Sequence, residues 1–319
     1  MITGSSYSRW IFMALIAGVI LLLVLPKILA PYYLGLAVKM MIFALFAMSL
    51  DLLIGFTGMA SLGHAAYFGL SAYATGLLAL KLGWNVWLAL PAGLIMSGLA
   101  AVLFGLLALR TRGSYFLMIT LALSQLMWGI AFGWRSLTGG DDGLPNVPRP
   151  DLGIGLSMAD GVNFYYFVLL IAAIAAVLMV RIVASPFGYA LRGIRESETR
   201  MLALGYNVWL YKFSIFVMAA LFAGLAGVLY VYYNRFVSPD YIHVARSAEV
   251  LLMVILGGAG TLIGPAFGAA IIVLFENLIS AYTERWVMLM GFIYLIVALF
   301  APNGIAGLIR DYRDKRASS

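Results

Sequence analysis

The sequence predicts an all-α, polytopic integral membrane protein, and three observations support this fold class. Hydrophobic residues make up 64% of the 319 residues and charged residues only 10%, against about 25% charged residues in a soluble domain. The mean hydropathy is +1.02. Apolar stretches recur from Trp10 to the region of Asn303, and a crossing needs roughly 20 such residues. We therefore expect one integral domain, residues 1–319, with about ten transmembrane helices.

The order of the apolar stretches gives the individual spans. The predicted spans are residues 10–30, 34–54, 64–80, 84–109, 114–133, 163–183, 213–234, 247–259, 264–283 and 286–302. The third and the eighth are short for a complete crossing. The first is predicted to be a retained span and not a signal peptide, because only one basic residue, Arg9, precedes it and no clear small-residue cleavage site follows.

The charges predict how the chain is oriented. Basic residues are concentrated in the 110–113 turn, in the 181–212 segment and in the tail after Asn303, whereas the 134–160 loop is acidic. Basic loops of membrane proteins face the cytoplasm. We therefore expect cytoplasmic N- and C-termini, a cytoplasmic loop at 184–212 and an external loop at 134–160. The net charge of +7 follows from this distribution, so nucleic acid is not an expected partner.

Several classes of chemistry are excluded by what the sequence lacks. Without cysteine there are no disulfides, thiol nucleophiles or Cys-ligated metals, and with only His64 and His243 a histidine metal centre is not expected. No carboxylate pair or nucleophile–base set appears at a useful spacing. We therefore expect a chain that is not an enzyme, with no catalytic residue, cofactor or metal. The sequence also has no G-x-x-x-x-G-K-[ST] phosphate loop.

Two glycine-rich breaks indicate a weak internal duplication. Gly55 to Gly58 precede the segment 63–69, and Gly257 to Gly260 precede the segment 264–268. The halves would be 10–109 and 213–302, arranged as a parallel repeat with two extra spans between them. Irregular backbone at membrane depth either lines a cavity or is buried in protein. Close helix packing explains any single glycine better, but the paired breaks favour a translocation path.

Ionisable and polar residues within the spans point to the same path, because charge inside a bilayer usually faces a cavity or a partner. Glu276 with Asn277 is the deepest polar pair and the best candidate for a functional or inter-subunit contact. Glu249 either lines the path or caps a helix with the help of Arg246, and Asp51, near the interface, needs no special role. His64 fits a path or a packing bond equally well. The predicted path residues are Gly55, Thr57, Gly58, Ser61, His64, Glu249, Gly257, Gly258, Gly260, Glu276 and Asn277.

The cytoplasmic segment 184–212 is the most specific feature. Ser185 followed by Pro186 is typical of a helix start, and Gly205 of a helix end. Apolar residues lie among the charges: Ile194, Met201, Leu202 and Leu204. Such an amphipathic element either packs into a groove on a partner or lies on the lipid headgroups.

This segment resembles the coupling loop of ABC-importer permeases, and more narrowly that of the branched-chain amino acid (LivM-like) permease family. Further segments resemble the same family in the expected order, from about Ala37 to Gly307: 50–69 (LDLLIGFTGMASLGHAAYFG), 136–143 (SLTGGDDG), 203–208 (ALGYNV) followed by Tyr211-Lys212, and 254–265 (VILGGAGTLIGP).

The resemblance implies a permease subunit of an ATP-driven importer for leucine, isoleucine or valine in the bacterial inner membrane. Its implied partners are a second related permease chain, two cytoplasmic ATP-binding subunits that hold ATP and Mg²⁺, a periplasmic substrate-binding protein and the lipid bilayer. The residues implied to couple to the ATPases are Arg192, Arg195, Glu196, Glu198, Arg200, Leu204 and Gly205. Those implied to lie on the binding-protein side are Thr138, Gly139, Gly140, Asp141 and Asp142.

Two other transport functions fit parts of the sequence. A secondary transporter would be driven by an ion gradient through Glu249 or Glu276. A passive channel, for urea or amides, would use the paired glycine breaks as its constriction. Uptake that continues without ATP would favour the channel.

Overall fold

The computed structural model describes residues 21–153 and 157–283, together with 285, 288–289, 291–292 and 295. Most of this is helical, including residues 21–28. The helices are α1 (Pro31–Thr57), α2 (His64–Lys81), α3 (Val86–Ala108), α4 (Ser114–Gly133), α5 (Arg135–Thr138), α6 (Gly161–Ala184), α7 (Pro186–Glu196), α8 (Glu198–Ala203), α9 (Val208–Asn234), α10 (Val244–Gly257) and α11 (Ile263–Tyr282). Two short strands, β1 (Leu144–Pro145) and β2 (Phe236–Val237), pair antiparallel.

Six of these helices, α1, α3, α4, α6, α9 and α11, are long and apolar enough to cross a membrane. They match six of the predicted spans to within a few residues, and the prediction of an all-α, multi-pass membrane protein is confirmed. The predicted spans 10–30 and 286–302 fall largely outside the described residues. The count of ten crossings and the side of the two termini therefore stay predictions.

The two short predicted spans form helices of a different kind. Helix α2 has 18 residues, most of them buried. Helix α10 has only 14 residues, about 21 Å at 1.5 Å per residue, which is less than a hydrocarbon core of about 30 Å. Just before α10, the carbonyl of Ile242 accepts a hydrogen bond from Ser124 Oγ at 3.2 Å, in the middle of α4. Helix α10 thus begins inside the bundle, after a segment that turns back into it.

Helices α1, α2, α3 and α9 pack closely through small residues. A Cβ at Gly227 of α9 would collide with the carbonyl of Phe68 in α2. Two serines bond across the same contacts: Ser71 Oγ donates to Gly224 O at 2.7 Å and Ser97 Oγ to Ala220 O at 2.8 Å. Small residues allow such close approach without a large apolar interface. The glycines of α9 therefore serve packing.

The two charged loops lie at opposite ends of the bundle. Segment 184–212 lies beside the end of α1 and the turn after α3, where Arg112 Nε is 3.8 Å from Glu198. At the other end, Lys81 of α2 donates to Ser136 O at 3.4 Å, and β1 pairs with β2 beyond the end of α9. We call these ends the 184–212 face and the 134–160 face. Their separation agrees with the charge pattern of the sequence.

Candidate functional site

The two glycine breaks predicted from the sequence meet at the 184–212 face. Asp51, fully buried in α1, accepts hydrogen bonds from the backbone N–H of Gly260 at 2.7 Å and of Leu262 at 2.9 Å. The break has positive φ at Gly258 (101°), Gly260 (87°) and Leu262 (62°), so its N–H groups cannot all bond within a helix. A buried N–H group needs a hydrogen-bond acceptor. Each of the two carboxylate oxygens of Asp51 accepts from one of these N–H groups.

Contact between the breaks depends on Gly55, one turn after Asp51. A Cβ at Gly55 would collide with Asp51 Oδ1 and with the backbone of Gly260. The carbonyl of Gly55 accepts a hydrogen bond from the guanidinium of Arg195, which belongs to α7. We call this set, Asp51, Gly55, Arg195, Gly260 and Leu262, the glycine junction. It joins α1, the break before α11 and the 184–212 segment.

Other glycines near the junction keep α10 and α11 together. A Cβ at Gly257 would collide with Gly264 O, and one at Gly268 with Met253 O. Gly58 ends α1 in the left-handed region, at φ 72°. The predicted path residues Gly55, Gly257 and Gly260 therefore lie in tight backbone contacts, which is the packing alternative that the sequence had left open for individual glycines.

The polar path candidates next to the first break have partners within the chain. Thr57 Oγ1 donates to Leu53 O at 2.6 Å, and Ser61 Oγ accepts from Gly63 N at 3.2 Å. His64 is fully buried, with Nε2 2.8 Å from Ser49 Oγ and its ring centre 5.5 Å from that of Phe46, while Nδ1 has no partner among the described residues. Of its two interpretations, this placement favours the packing bond.

The 184–212 segment folds into two capped helices. Ser185 Oγ accepts from Gly188 N at 3.4 Å to start α7, with Pro186 at the first position. Ser197 Oγ accepts from Arg200 N at 3.3 Å to start α8. The predicted start at Ser185 and Pro186 is confirmed, and Gly205 follows α8 at φ 86°.

The apolar residues of this segment divide between two surfaces. Ile194 and Met201 are buried with Ala190 and Val208 in a small cluster, whereas Leu202 and Leu204 are more than half exposed. The sequence analysis left two roles open for all four, contact with a partner or with the lipid headgroups. Of these four, the two leucines are the ones exposed enough for either role.

The charges of the segment are divided in the same way. Glu198 pairs with Lys212 of α9, and the Arg192 guanidinium lies 5.2 Å from the ring centre of Phe56. Arg195 donates into the glycine junction although it is exposed, as are Arg192, Glu196 and Arg200. Between this segment, the end of α1 and the 109–114 turn lies a crevice of about 410 Å³.

A second polar centre lies nearer the 134–160 face. Lys39 Nζ is 2.9 Å from Glu276 Oε2, and Arg246 Nη1 is 2.6 Å from Glu249 Oε2. Both cations lie over the ring of Phe43, at 5.8 and 5.4 Å. We call the four charged residues the charge cluster. Beside it, Asn277 Oδ1 accepts from Tyr32 Oη at 2.8 Å.

The cluster refines the sequence prediction for both glutamates. Glu276 and Asn277 were predicted together, but Lys39, the partner of Glu276, was not singled out. Glu249 has the predicted neighbour Arg246. The cap of α10 is instead His243, whose Nδ1 accepts from Ala245 N at 3.3 Å. The role of Asp51 was also missed by the sequence analysis. The sequence feature that could have indicated it is the position of an aspartate one helical turn before a glycine break.

The candidates on the 134–160 face form a tight turn. Gly140 N donates to Thr138 Oγ1 at 3.2 Å, and Gly139 and Gly140 both have positive φ, 78° and 61°. Thr138 and Gly140 are buried, whereas Asp141 and Asp142 are exposed. The turn therefore holds two carboxylates at the surface of this face.

Comparison with known proteins agrees along most of the chain. A family model described as branched-chain amino acid transport system, permease component, matches residues 32–299. The high-affinity branched-chain amino acid transport system permease protein LivM of Escherichia coli K12 is 27% identical over 331 aligned positions, which cover 97% of this chain and 77% of the relative. The protein of that name from Salmonella typhimurium LT2 has the same identity and coverage.

A more distant relative is the probable branched-chain amino acid transport permease protein LivM of Methanocaldococcus jannaschii. It is 25% identical over 237 positions, which cover 68% of this chain and 67% of the relative. No solved structure matches the chain significantly.

Proposed function

The chain belongs to the family of permease components of branched-chain amino acid transport systems, and we propose that it is the membrane subunit of an ATP-driven importer for leucine, isoleucine and valine. Proteins of this family are transport subunits and not enzymes. In the proposed assembly the chain lies in the bacterial inner membrane beside a second, related permease chain. Two cytoplasmic subunits bind ATP and Mg²⁺, and a periplasmic protein delivers the amino acid to the 134–160 face.

One observation carries this proposal: Arg195 joins the loop that would dock on an ATPase directly to the glycine junction. The exposed side of the loop carries Glu196, Arg200 and Leu204, which a cytoplasmic partner can contact. When the ATPases close, a displacement of α7 would act on the carbonyl of Gly55 through the Arg195 guanidinium. The same displacement would reach the 258–262 break, because Asp51 and Gly55 contact it.

The break is suited to respond to such a displacement. Its backbone is held from α1 by the Asp51 carboxylate, and Leu262 has a positive φ of 62°, a conformation that costs a non-glycine residue free energy. In this proposal the break opens and closes the path while the long helices tilt around it.

The first test is to purify the chain gently from its native membrane and identify what accompanies it. We expect a second permease chain and ATPase subunits with phosphate-binding loops, and ATP-dependent amino acid uptake by the complex in liposomes. A chain that purifies alone and still transports under an ion gradient would overturn the importer and move attention to Glu249 and Glu276. Uptake without any ATP would point to the channel.

The second test separates transmission from docking. Arg195→Gln removes the bond to Gly55 and leaves the other exposed residues of the loop, Glu196, Arg200 and Leu204, in place. We expect the ATPases to remain bound while uptake per ATP hydrolysed falls about tenfold, because the loop then moves without pulling on α1. The control is Arg181→Gln, at an exposed arginine of α6 that ends at the same face. Equal coupling in the two variants would contradict the role of Arg195.

A further inference from the structure

A polar cavity of about 230 Å³ adjoins the charge cluster. Its lining combines Lys39 with tyrosines, amides and one leucine: Tyr32, Leu36, Tyr230, Tyr233, Asn234 and Asn277. Sites for drug-sized ligands measure roughly 300–1,000 Å³, so this cavity suits a smaller solute. It lies between α1, α9 and α11, near the 134–160 face.

The depth of the cavity makes its charges informative. Lys39 lies eight residues after the start of α1, about 12 Å along the helix axis, and Glu276 lies six residues before the end of α11, about 9 Å. Both side chains are about one-fifth exposed, at 20% and 19%. Ionisable residues at such depth face protein or a water-filled cavity and not lipid. Lys39 lines the cavity, and Glu276 lies next to it through their ion pair.

The balance of charge selects the kind of solute. The cluster has two cations and two carboxylates, so a solute with net charge would leave one of the buried charges without a partner, which is costly. A zwitterion leaves no charge without a partner. Its carboxylate can pair with the cation of an existing ion pair and its ammonium with the carboxylate, so that two ion pairs replace one. In an α-amino acid the opposite charges sit on neighbouring groups, as they do where Lys39 and Glu276 approach to 2.9 Å.

We propose that this cavity is a transient binding site for the charged end of the transported amino acid. Lys39, which lines the cavity, receives the carboxylate, and its ion-pair partner Glu276 turns toward the solute to receive the ammonium. Leu36 and the rings of Tyr230 and Tyr233 contact the apolar side chain. The proposal rests on the importer function above and adds to it a solute site within the permease itself.

Helix α10 connects this site to the glycine junction. Arg246 and Glu249 lie in its first two turns, next to Lys39 through the shared ring of Phe43. Its last residue, Gly257, lies about 16 Å from Arg246 along the helix axis. The 258–262 break follows directly. Occupation of the cavity can therefore influence the break through Phe43 and this single rigid element.

The test measures binding to the intact transporter, purified with its partner chains but without the periplasmic protein. The probes are leucine, leucinamide, which lacks the carboxylate, and 4-methylpentanoate, which lacks the ammonium group. We expect leucine to bind at least about tenfold more tightly than either analogue, since each analogue leaves one charge of the Lys39–Glu276 pair unmatched. Radiolabelled leucine in equilibrium dialysis, with the analogues as competitors, gives the three affinities.

Two variants locate the binding. Lys39→Met with Glu276→Gln removes both charges together, and Leu36→Phe narrows the cavity while keeping both ion pairs. We expect each to weaken leucine binding by about tenfold or more, with the ATPases still bound. Lys81→Met, at an exposed lysine of the same face, is the matched control and should bind leucine like the unmodified complex.

The outcomes separate this proposal from the importer function. If the ATPases co-purify and drive uptake, but leucine binds no better than its analogues, the zwitterion site is wrong and the importer stands. The same conclusion follows if both variants bind leucine normally. If no ATPase accompanies the chain, the importer itself fails, whatever the binding shows.

Discussion

The glycine junction and the charge cluster are both polar centres among apolar helices, but they are constructed in opposite ways. At the junction one carboxylate is satisfied by backbone N–H groups, and a glycine without a side chain brings the partners together. In the cluster, long side chains pair with each other next to a cavity. The junction has no room for an added atom, whereas the cluster has space beside it.

This difference indicates how the two centres respond to force and to ligand. Tightly packed groups shift between discrete arrangements and transmit displacement, which suits a connection to a cytoplasmic motor. Charged side chains around a cavity can exchange partners, which suits a solute that brings its own charges. The junction should therefore be sensitive to size, and the cluster to charge balance.

The largest expected effect is at Asp51. Asp51→Leu removes the acceptor of the buried Leu262 N–H and of the half-buried Gly260 N–H. A buried N–H group without a partner costs roughly 1–3 kcal/mol, so the variant should lower the thermal stability of the purified complex and abolish uptake. Asp51→Asn keeps one oxygen acceptor and should give a thermal stability and an uptake rate between those of Asp51→Leu and of the unmodified complex. Asp151→Asn, at an exposed aspartate that accepts only from the backbone of Gly153 among the described residues, is the control. A stable and active Asp51→Leu variant would show that the break is held by other contacts.

A size change at the junction should come next. Gly55→Ala forces the Cβ into the Asp51 carboxylate and the Gly260 backbone, and overpacking of this kind costs about 1–3 kcal/mol. Gly129→Ala is the matched control, since a Cβ there has no neighbour within 4 Å among the described residues. We expect a lower melting temperature and slower uptake for Gly55→Ala alone. Equal melting curves would mean that the junction is not tight.

The cluster should show a different pattern, in which the double variant is more stable than the single variant. Lys39→Met leaves Glu276 without its partner, while Lys39→Met with Glu276→Gln removes the whole pair. Breaking a fully buried pair costs roughly 3–5 kcal/mol and replacing it is often neutral. Because these side chains are one-fifth exposed, we expect a smaller difference with the same sign. Denaturation of the two variants in detergent measures it, and additive losses would contradict the charge-balance argument.

The smallest effect is expected at His64. A variant there tests whether this buried residue, which belongs to neither centre, serves only packing. His64→Phe keeps a planar ring against Phe46 and loses the bond to Ser49 Oγ. Ser49 also donates to Phe46 O at 2.7 Å, so its hydroxyl keeps a partner. We expect about 1 kcal/mol or less in stability and unchanged uptake. A large loss of uptake in a stable variant would return His64 to the translocation path.

Some of the site could be predicted from the sequence because the signal was local. The caps at Ser185 and Pro186 depend on neighbours within one turn, and the glycine breaks interrupt apolar runs visibly. The partnership of Asp51 with Gly260, 209 positions away, has no local signature. Lys39 was passed over for the same reason: in the sequence it is a single charge within an apolar run, and Glu276 is 237 positions away.

By itself the sequence determined that this protein is a multi-pass helical membrane protein, because apolar length and the lack of charge decide solvation regardless of contacts. It also located the six long spans to within a few residues and separated the charged loops. Only the tertiary structure decided that the two breaks meet at one junction, that Arg195 reaches it, and that four ionisable residues from three helices gather beside a cavity. Those results depend on which faces of distant helices pack together, and apolar composition alone does not distinguish one face from another.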